Sequence, residues 1–206
     1  MRTQTSITAA VALIVILISG LCSITLPATE FTESPIMNLQ VVETRQRHPP
    51  YLEFCARQQG ECELSAPFRV TLTRSRWILV EQVNTRVNRE ILFSLDQTQY
   101  GEEEYWNYPD SGFGDCEDKA LEKRRRLHLR GISRGALRMA VAHHRTHHTP
   151  HSLLLLETDI GTYVLDTFTD QVKLWYETPY NFESRETPEG TWERFDQQDW
   201  MFADTF

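Results

Sequence analysis

Residues 112–126 read GFGDCEDKALEKRRR: two glycines, a cysteine enclosed by three acids, then a run of good helix formers. This stretch decides the fold, because it predicts a helix that begins at the cysteine and runs from about Glu117 to Leu129. Ala120, Leu121 and Leu127 are its candidate buried points, and Gly131 stops it. Gly112 and Gly114 allow a tight turn and the close approach of a substrate backbone. A helix N-terminus carries roughly half a positive charge and unpaired N–H donors, which lower a thiol pKa and can hold an oxyanion. Asp115, Glu117 and Asp118 act in the opposite direction and raise it. Cys116 is therefore either an inert thiol or one whose activation depends on something else in the fold.

Downstream of this helix, ISRGALRMAVAHH reads as a short strand or a helix without deciding between them. SLLLLET (152–158) and TYVLDTF (162–168) are apolar runs separated by Asp159-Ile160-Gly161, the signature of a β-hairpin. VKLWYE (172–177) is a candidate third strand, and the acidic, aromatic tail from Thr178 to Phe206 yields no confident element. Upstream, Trp77, Leu79, Val80, Val83, Val87, Ile91 and Leu92 fall at spacings of three and four, an amphipathic helix. The segment from Asp96 to Gly114 lacks any period and reads as a loop. Helices first and antiparallel strands after give an α+β domain.

The chain has 206 residues, 40% hydrophobic and 24% charged, which suits one globular domain over 51–206. A formal net charge of −8 argues against nucleic acid as a partner, since phosphate contacts need a basic surface. The basic run from Lys123 to Arg130 reads as a solvated helix face. At the N-terminus, Arg2 precedes a long uncharged apolar stretch, so residues 1–28 are a signal peptide, or an anchor where the segment is not cut. Either reading places the protein outside the cytoplasm, periplasmic or exported. Residues 29–50 are polar and read as a linker.

That compartment permits disulfides. Cys55 and Cys62 can close a small loop, with a metal site as the rival reading. The pairing leaves Cys116 alone, and a nucleophilic cysteine needs a base and a group to orient it. With the hairpin turn at 159–161, His151 at the start of one strand comes near Asp166 at the end of the other. A carboxylate there fixes the imidazole tautomer and stabilises the imidazolium. Cysteine on a helix, then histidine and aspartate on paired strands, is the order of papain-like and transglutaminase-like cores. His143–His148 contains i,i+4 histidine pairs suited to zinc if helical, but Pro150 ends any helix there, so a polar loop is the reading. Trp106 either lines the cleft or belongs to the core.

GDCED, a histidine at a strand start and YVLD, with VNTRVNREILFSLDQTQYGEEEYWNYP ahead of them, resemble the bacterial transglutaminase-like cysteine peptidase family of the LapG periplasmic type. The resemblance runs from about Phe54 to Trp175 and implies catalytic Cys116, His151 and Asp166. Two positions depart from the pattern: Ser152 replaces an aliphatic residue or alanine after the histidine, and LDN is LDT here. The family further implies calcium dependence, with Asp115, Glu117 and Asp118 as ligands; the alternative for these acids is that they complement the dipole at the helix N-terminus. Ca²⁺ takes six to eight oxygens and would neutralise acids that oppose a thiolate. The implied partners are a protein substrate such as a cell-surface adhesin of a biofilm, and an inner-membrane receptor that sequesters the protease. A catalytically silent calcium-binding module, or an acyl transferase or amidase using the same triad, are the alternatives.

Overall fold

The computed structural model describes residues 33–196. The apolar stretch within 1–28, read as a signal peptide or anchor, lies outside them. Among the described residues no helix is long and apolar enough to cross a membrane. In chain order the elements are β1 (Val41–Arg45), α1 (Pro49–Arg57), α2 (Arg74–Glu90), β2 (Leu92–Phe93), α3 (Asp96–Gln99), β3 (Phe113–Gly114), α4 (Cys116–Leu129), β4 (Leu137–His144), β5 (Pro150–Glu157), β6 (Thr162–Leu165), β7 (Lys173–Leu174), β8 (Tyr180–Glu186) and β9 (Trp192–Phe195). Seven strands form one antiparallel sheet in the order β1-β9-β8-β4-β5-β6-β7, and β2 and β3 make a small parallel pair beside it.

The leucine run explains how the sheet is buried. In β5, Leu154 and Leu156 face α2 and α4, while Leu153 and Leu155 face a second core with Met37, Trp175, Tyr180, Phe182 and Phe195. A strand covered on both faces has no reason to alternate apolar with polar, and all four leucines are buried. The hairpin forms with Leu154 opposite Leu165 and Glu157 opposite Thr162. The ambiguous ISRGALRMAVAHH resolves into a turn of 3-10 helix at Arg134–Ala136 followed by β4 at the middle of the sheet.

Helix α4 starts at the cysteine, as its composition predicts, and packs on β5 and against α2. Gly131 ends it with φ +89°, a conformation that suits glycine alone at no steric cost. Gly114 is needed for a different reason from the one expected. A Cβ there would lie 2.7 Å from the Asp118 Cβ and 3.2 Å from the Pro109 Cβ, so the chain packs against its own helix at that point.

Four expectations change. Residues read as a linker include β1, which pairs with β9, and Met37, which is buried. Their polarity reflects an edge strand whose side chains are all exposed. The basic run is not simply a solvated face: Lys123 and Arg124 are fully buried, and Arg124 pairs with Glu186 at 3.1 Å and with the Tyr51 hydroxyl at 2.9 Å. The loop over 96–114 contains α3 and β3. In the tail, β8 and β9 form two further strands, and β7 is only the first part of the expected third strand.

Cys55 and Cys62 are joined by a disulfide, with Cα atoms 5.6 Å apart, which removes them as metal ligands. The histidine run is not helical. His143 and His144 end β4, and His143 Nε2 lies 2.8 Å from Glu183 Oε2. Trp106 is 2% exposed, packed on Tyr51 and Trp192, and its edge also lines the cleft at Cys116.

Candidate active site

The first residue of α4 is Cys116, and its Sγ is held from two sides. The Ser152 N–H of β5 donates to it at 3.4 Å, and the thiol lies 3.1 Å from Glu117 Oε2. Burial pushes the thiol pKa up. The negative charges of Glu117 and Asp115 push it further, against the opposing Ser152 N–H. The acidic collar therefore acts on the thiol as its charge predicts.

Asp166 lies one residue past the last paired position of β6, where the strands of the hairpin diverge. His151 Nε2 lies 2.8 Å from its Oδ1. Burial alone would raise the Asp166 pKa, but the hydrogen bond and charge of His151, aided by the Phe168 N–H and the Tyr180 hydroxyl, hold it below the ordinary carboxylate value. Asp166 is thus a carboxylate, and an acceptor only. His151 Nε2 must then carry the proton, which leaves Nδ1 as the nitrogen able to accept one. The Asp166 carbonyl is fastened to both helices, accepting from Lys123 Nζ at 2.8 Å and from Asn88 Nδ2 at 3.1 Å.

Cys116 and His151 line one cleft of about 580 Å³ together with Glu117, Ser152 and Trp106. Glu103 and Glu104 stand on this cleft, as do Arg45, Arg47 and Arg194. The three residues picked from the sequence as nucleophile, base and orienter are therefore gathered at one end of the sheet. Within this group the hydrogen bond is between His151 and Asp166, while the thiol is engaged by Ser152 and Glu117.

Next to Cys116, Asp96, Asp115 and Glu117 each offer a carboxylate oxygen within 4.8 Å of the others, and all three are buried. Burial raises Asp115 to about 6, with the charges of Asp96 and Glu104 adding to it against a hydrogen bond from Glu117. Burial together with the Asp115 and Glu104 charges holds Glu117 well above its ordinary value. Asp96 Oδ1 and Asp115 Oδ1 are buried with no hydrogen-bond partner. Uncompensated carboxylate oxygens converging at this spacing suit a hard cation that takes oxygen ligands. Asp118 lies outside this trio. Its Oδ1 accepts the Asn107 N–H at 2.8 Å and its side chain packs beneath Gly114. Burial raises it to about 8.

Asp96 has no signal in the sequence as a ligand: it opens a four-residue helix within an aperiodic stretch, and only the β2–β3 pairing brings that stretch back to Gly114 and Cys116. Tyr180 and Lys123, which hold Asp166, are equally silent at the level of sequence.

A family model described as bacterial transglutaminase-like cysteine proteinase matches residues 42–200. Among solved structures, calcium-bound Legionella pneumophila LapG aligns with a TM-score of 0.50 at 23% identity, covering 59% of this chain and 72% of that one. EGTA-treated LapG of the same organism aligns with a TM-score of 0.50 at 24% identity, covering 57% and 67%. Identities this low speak for the fold, which is the α+β, transglutaminase-like arrangement of a helix-borne cysteine against an antiparallel sheet. No curated protein matches the chain.

Proposed function

The chain belongs to the bacterial transglutaminase-like cysteine proteinase family and is a cysteine peptidase; from that premise we propose that it cleaves a cell-surface protein by a Cys116–His151–Asp166 mechanism that requires calcium. The observation that carries the triad is the 2.8 Å hydrogen bond from His151 Nε2 to Asp166, with His151 itself lining the same cleft as a helix-terminal thiol. His151 Nδ1 takes the proton of the Cys116 thiol, and Sγ attacks the scissile carbonyl carbon. The resulting oxyanion is held by the N–H donors at the start of α4. His151, now an imidazolium stabilised by Asp166, returns the proton to the leaving amine as the C–N bond breaks. Water, deprotonated by His151, then hydrolyses the thioester and frees Cys116.

Asp96, Asp115 and Glu117 would hold the calcium ion, with Asp118 supporting the loop beside it. When bound, the ion supplies positive charge that offsets the acidic collar around the thiol. The fit rests on the two orphaned carboxylate oxygens, and it accords with Legionella pneumophila LapG having been solved both calcium-bound and EGTA-treated. The N-terminal apolar stretch and the disulfide support an exported, periplasmic setting, cleaved or anchored at the membrane. The wider family reading supplies the rest: an adhesin as substrate, and an inner-membrane receptor that holds the protease away from it.

The experiment is a chromogenic acyl transfer. Mixed with p-nitrophenyl acetate in calcium, the protein should release a burst of about one equivalent of nitrophenolate as the thioester forms. Peptide mapping by mass spectrometry should place the acetyl group on Cys116. Absence of a burst, or an acetyl group carried elsewhere, would exclude Cys116 as the nucleophile.

A further inference from the structure

Asp166 has two carboxylate oxygens, and the structure treats them differently. Oδ1 accepts from His151 Nε2 at 2.8 Å and from the Phe168 N–H at 3.0 Å. Oδ2 accepts from the Tyr180 hydroxyl at 2.7 Å, the donor to it among the described residues. Asp166 is only 5% exposed, so this hydroxyl offsets part of the cost of desolvating its carboxylate. Tyr180 itself is 3% exposed and opens β8, separated from β6 by both β4 and β5 in the sheet. Its hydroxyl nevertheless reaches Asp166, and its ring lies beside the imidazole, 5.3 Å between centroids. Phe168 stacks on His151 at 4.5 Å and 22°.

Building on the triad proposed above, we propose that Tyr180 is a positioning residue, whose hydroxyl fixes the rotation of the Asp166 carboxylate so that Oδ1 faces His151 Nε2. The chemistry requires such a clamp. A carboxylate turning about its Cβ–Cγ bond can offer either oxygen, or neither, to a histidine. Tying down the second oxygen selects one orientation, and with it the tautomer that leaves Nδ1 free. A serine or water could hydrogen-bond there too, but Tyr180 also supplies a ring face that limits the tilt of His151. Burial and the neighbouring Asp166 charge keep the phenol protonated, so it stays a donor throughout.

Tyr180→Phe tests this, because it deletes the hydroxyl and keeps the ring that packs beside Trp175 and Phe182. With a quenched fluorescent peptide library in saturating calcium, kcat should fall roughly ten- to hundredfold with KM changed by less than about twofold, as expected for loss of one hydrogen bond to a buried charge. A second measurement needs no substrate. The low-field proton resonance of His151 Nε2–H should be present in the wild type, absent in His151→Ala and Asp166→Ala, and shifted upfield in Tyr180→Phe. A tyrosine that serves packing alone would leave that resonance and kcat unmoved, and this result would overturn the inference. The two readings fail separately. Cleavage that survives Cys116→Ala defeats the triad, whereas an unshifted resonance in Tyr180→Phe defeats the clamp.

Discussion

Lys123→Met offers a quantitative test of how α4 is tied to the end of the sheet that carries His151 and Asp166. Lys123 is fully buried, and its Nζ donates to the Asp166 carbonyl at 2.8 Å. Burial, only partly offset by the Asp166 and Asp170 charges, lowers its pKa from the ordinary 10.5 to about 7. At about 1.36 kcal/mol per pH unit, keeping this lysine charged in the folded protein costs about 5 kcal/mol. The unfolded chain holds the proton up to pH 10.5 and the folded chain only below about 7, so between those values the unfolded state binds more protons. Stability from this residue therefore rises with pH across that window, and the full cost is felt below it. Methionine has similar length and no charge. It forfeits the hydrogen bond, worth about 1 to 3 kcal/mol, so at pH 6 the variant should be more stable by about 2 to 4 kcal/mol. Urea unfolding at constant saturating calcium, from pH 6 to 9.5, gives the difference between variant and wild type. That difference should shrink and then reverse as the pH rises, with a slope approaching about 1.36 kcal/mol per unit. Parallel curves, or a variant less stable at pH 6, would refute the buried, proton-shedding lysine.

Calcium at a hundredfold excess over its Kd should stabilise the wild type by about 2.7 kcal/mol, raising Tm by about 5 to 10 °C. Asp96→Asn, which alters a trio member far from the motif, should remove most of that rise in a thermal scan. Arg124→Met leaves Glu186 buried opposite no cation and should cost about 3 to 5 kcal/mol by denaturant titration. Changing Glu186 to an apolar residue in the same protein should recover much of the loss.

Local chemistry made the cysteine-bearing helix and the hairpin legible in the sequence. Helix formers after a turn placed α4, and the Asp-Ile-Gly break between apolar runs placed β5 and β6 and hence the meeting of His151 with Asp166. What escaped detection depends on contacts distant in sequence. β8 was hidden because Arg185 and Glu186 occupy its C-terminal end, where they pair with Glu157 and Arg124 instead of supplying apolar periodicity. β1 was hidden because an edge strand with exposed side chains has the composition of a linker. The basic run looked solvated because composition cannot show that Glu186 and the Asp166 carbonyl wait opposite Arg124 and Lys123. The acids beside Cys116 were conspicuous, but the third member of their cluster stands in a stretch with no period, twenty residues earlier.

Cleavage itself tests the central claim most directly. Wild-type protein and Cys116→Ala, each in saturating calcium, are incubated with a quenched fluorescent peptide library, and the products are sequenced by mass spectrometry. A Cys-His-Asp peptidase cleaves at a restricted set of peptide bonds, and the alanine variant, with its fold intact by circular dichroism, cleaves none of them. The same bonds cut by Cys116→Ala at a comparable rate would contradict it.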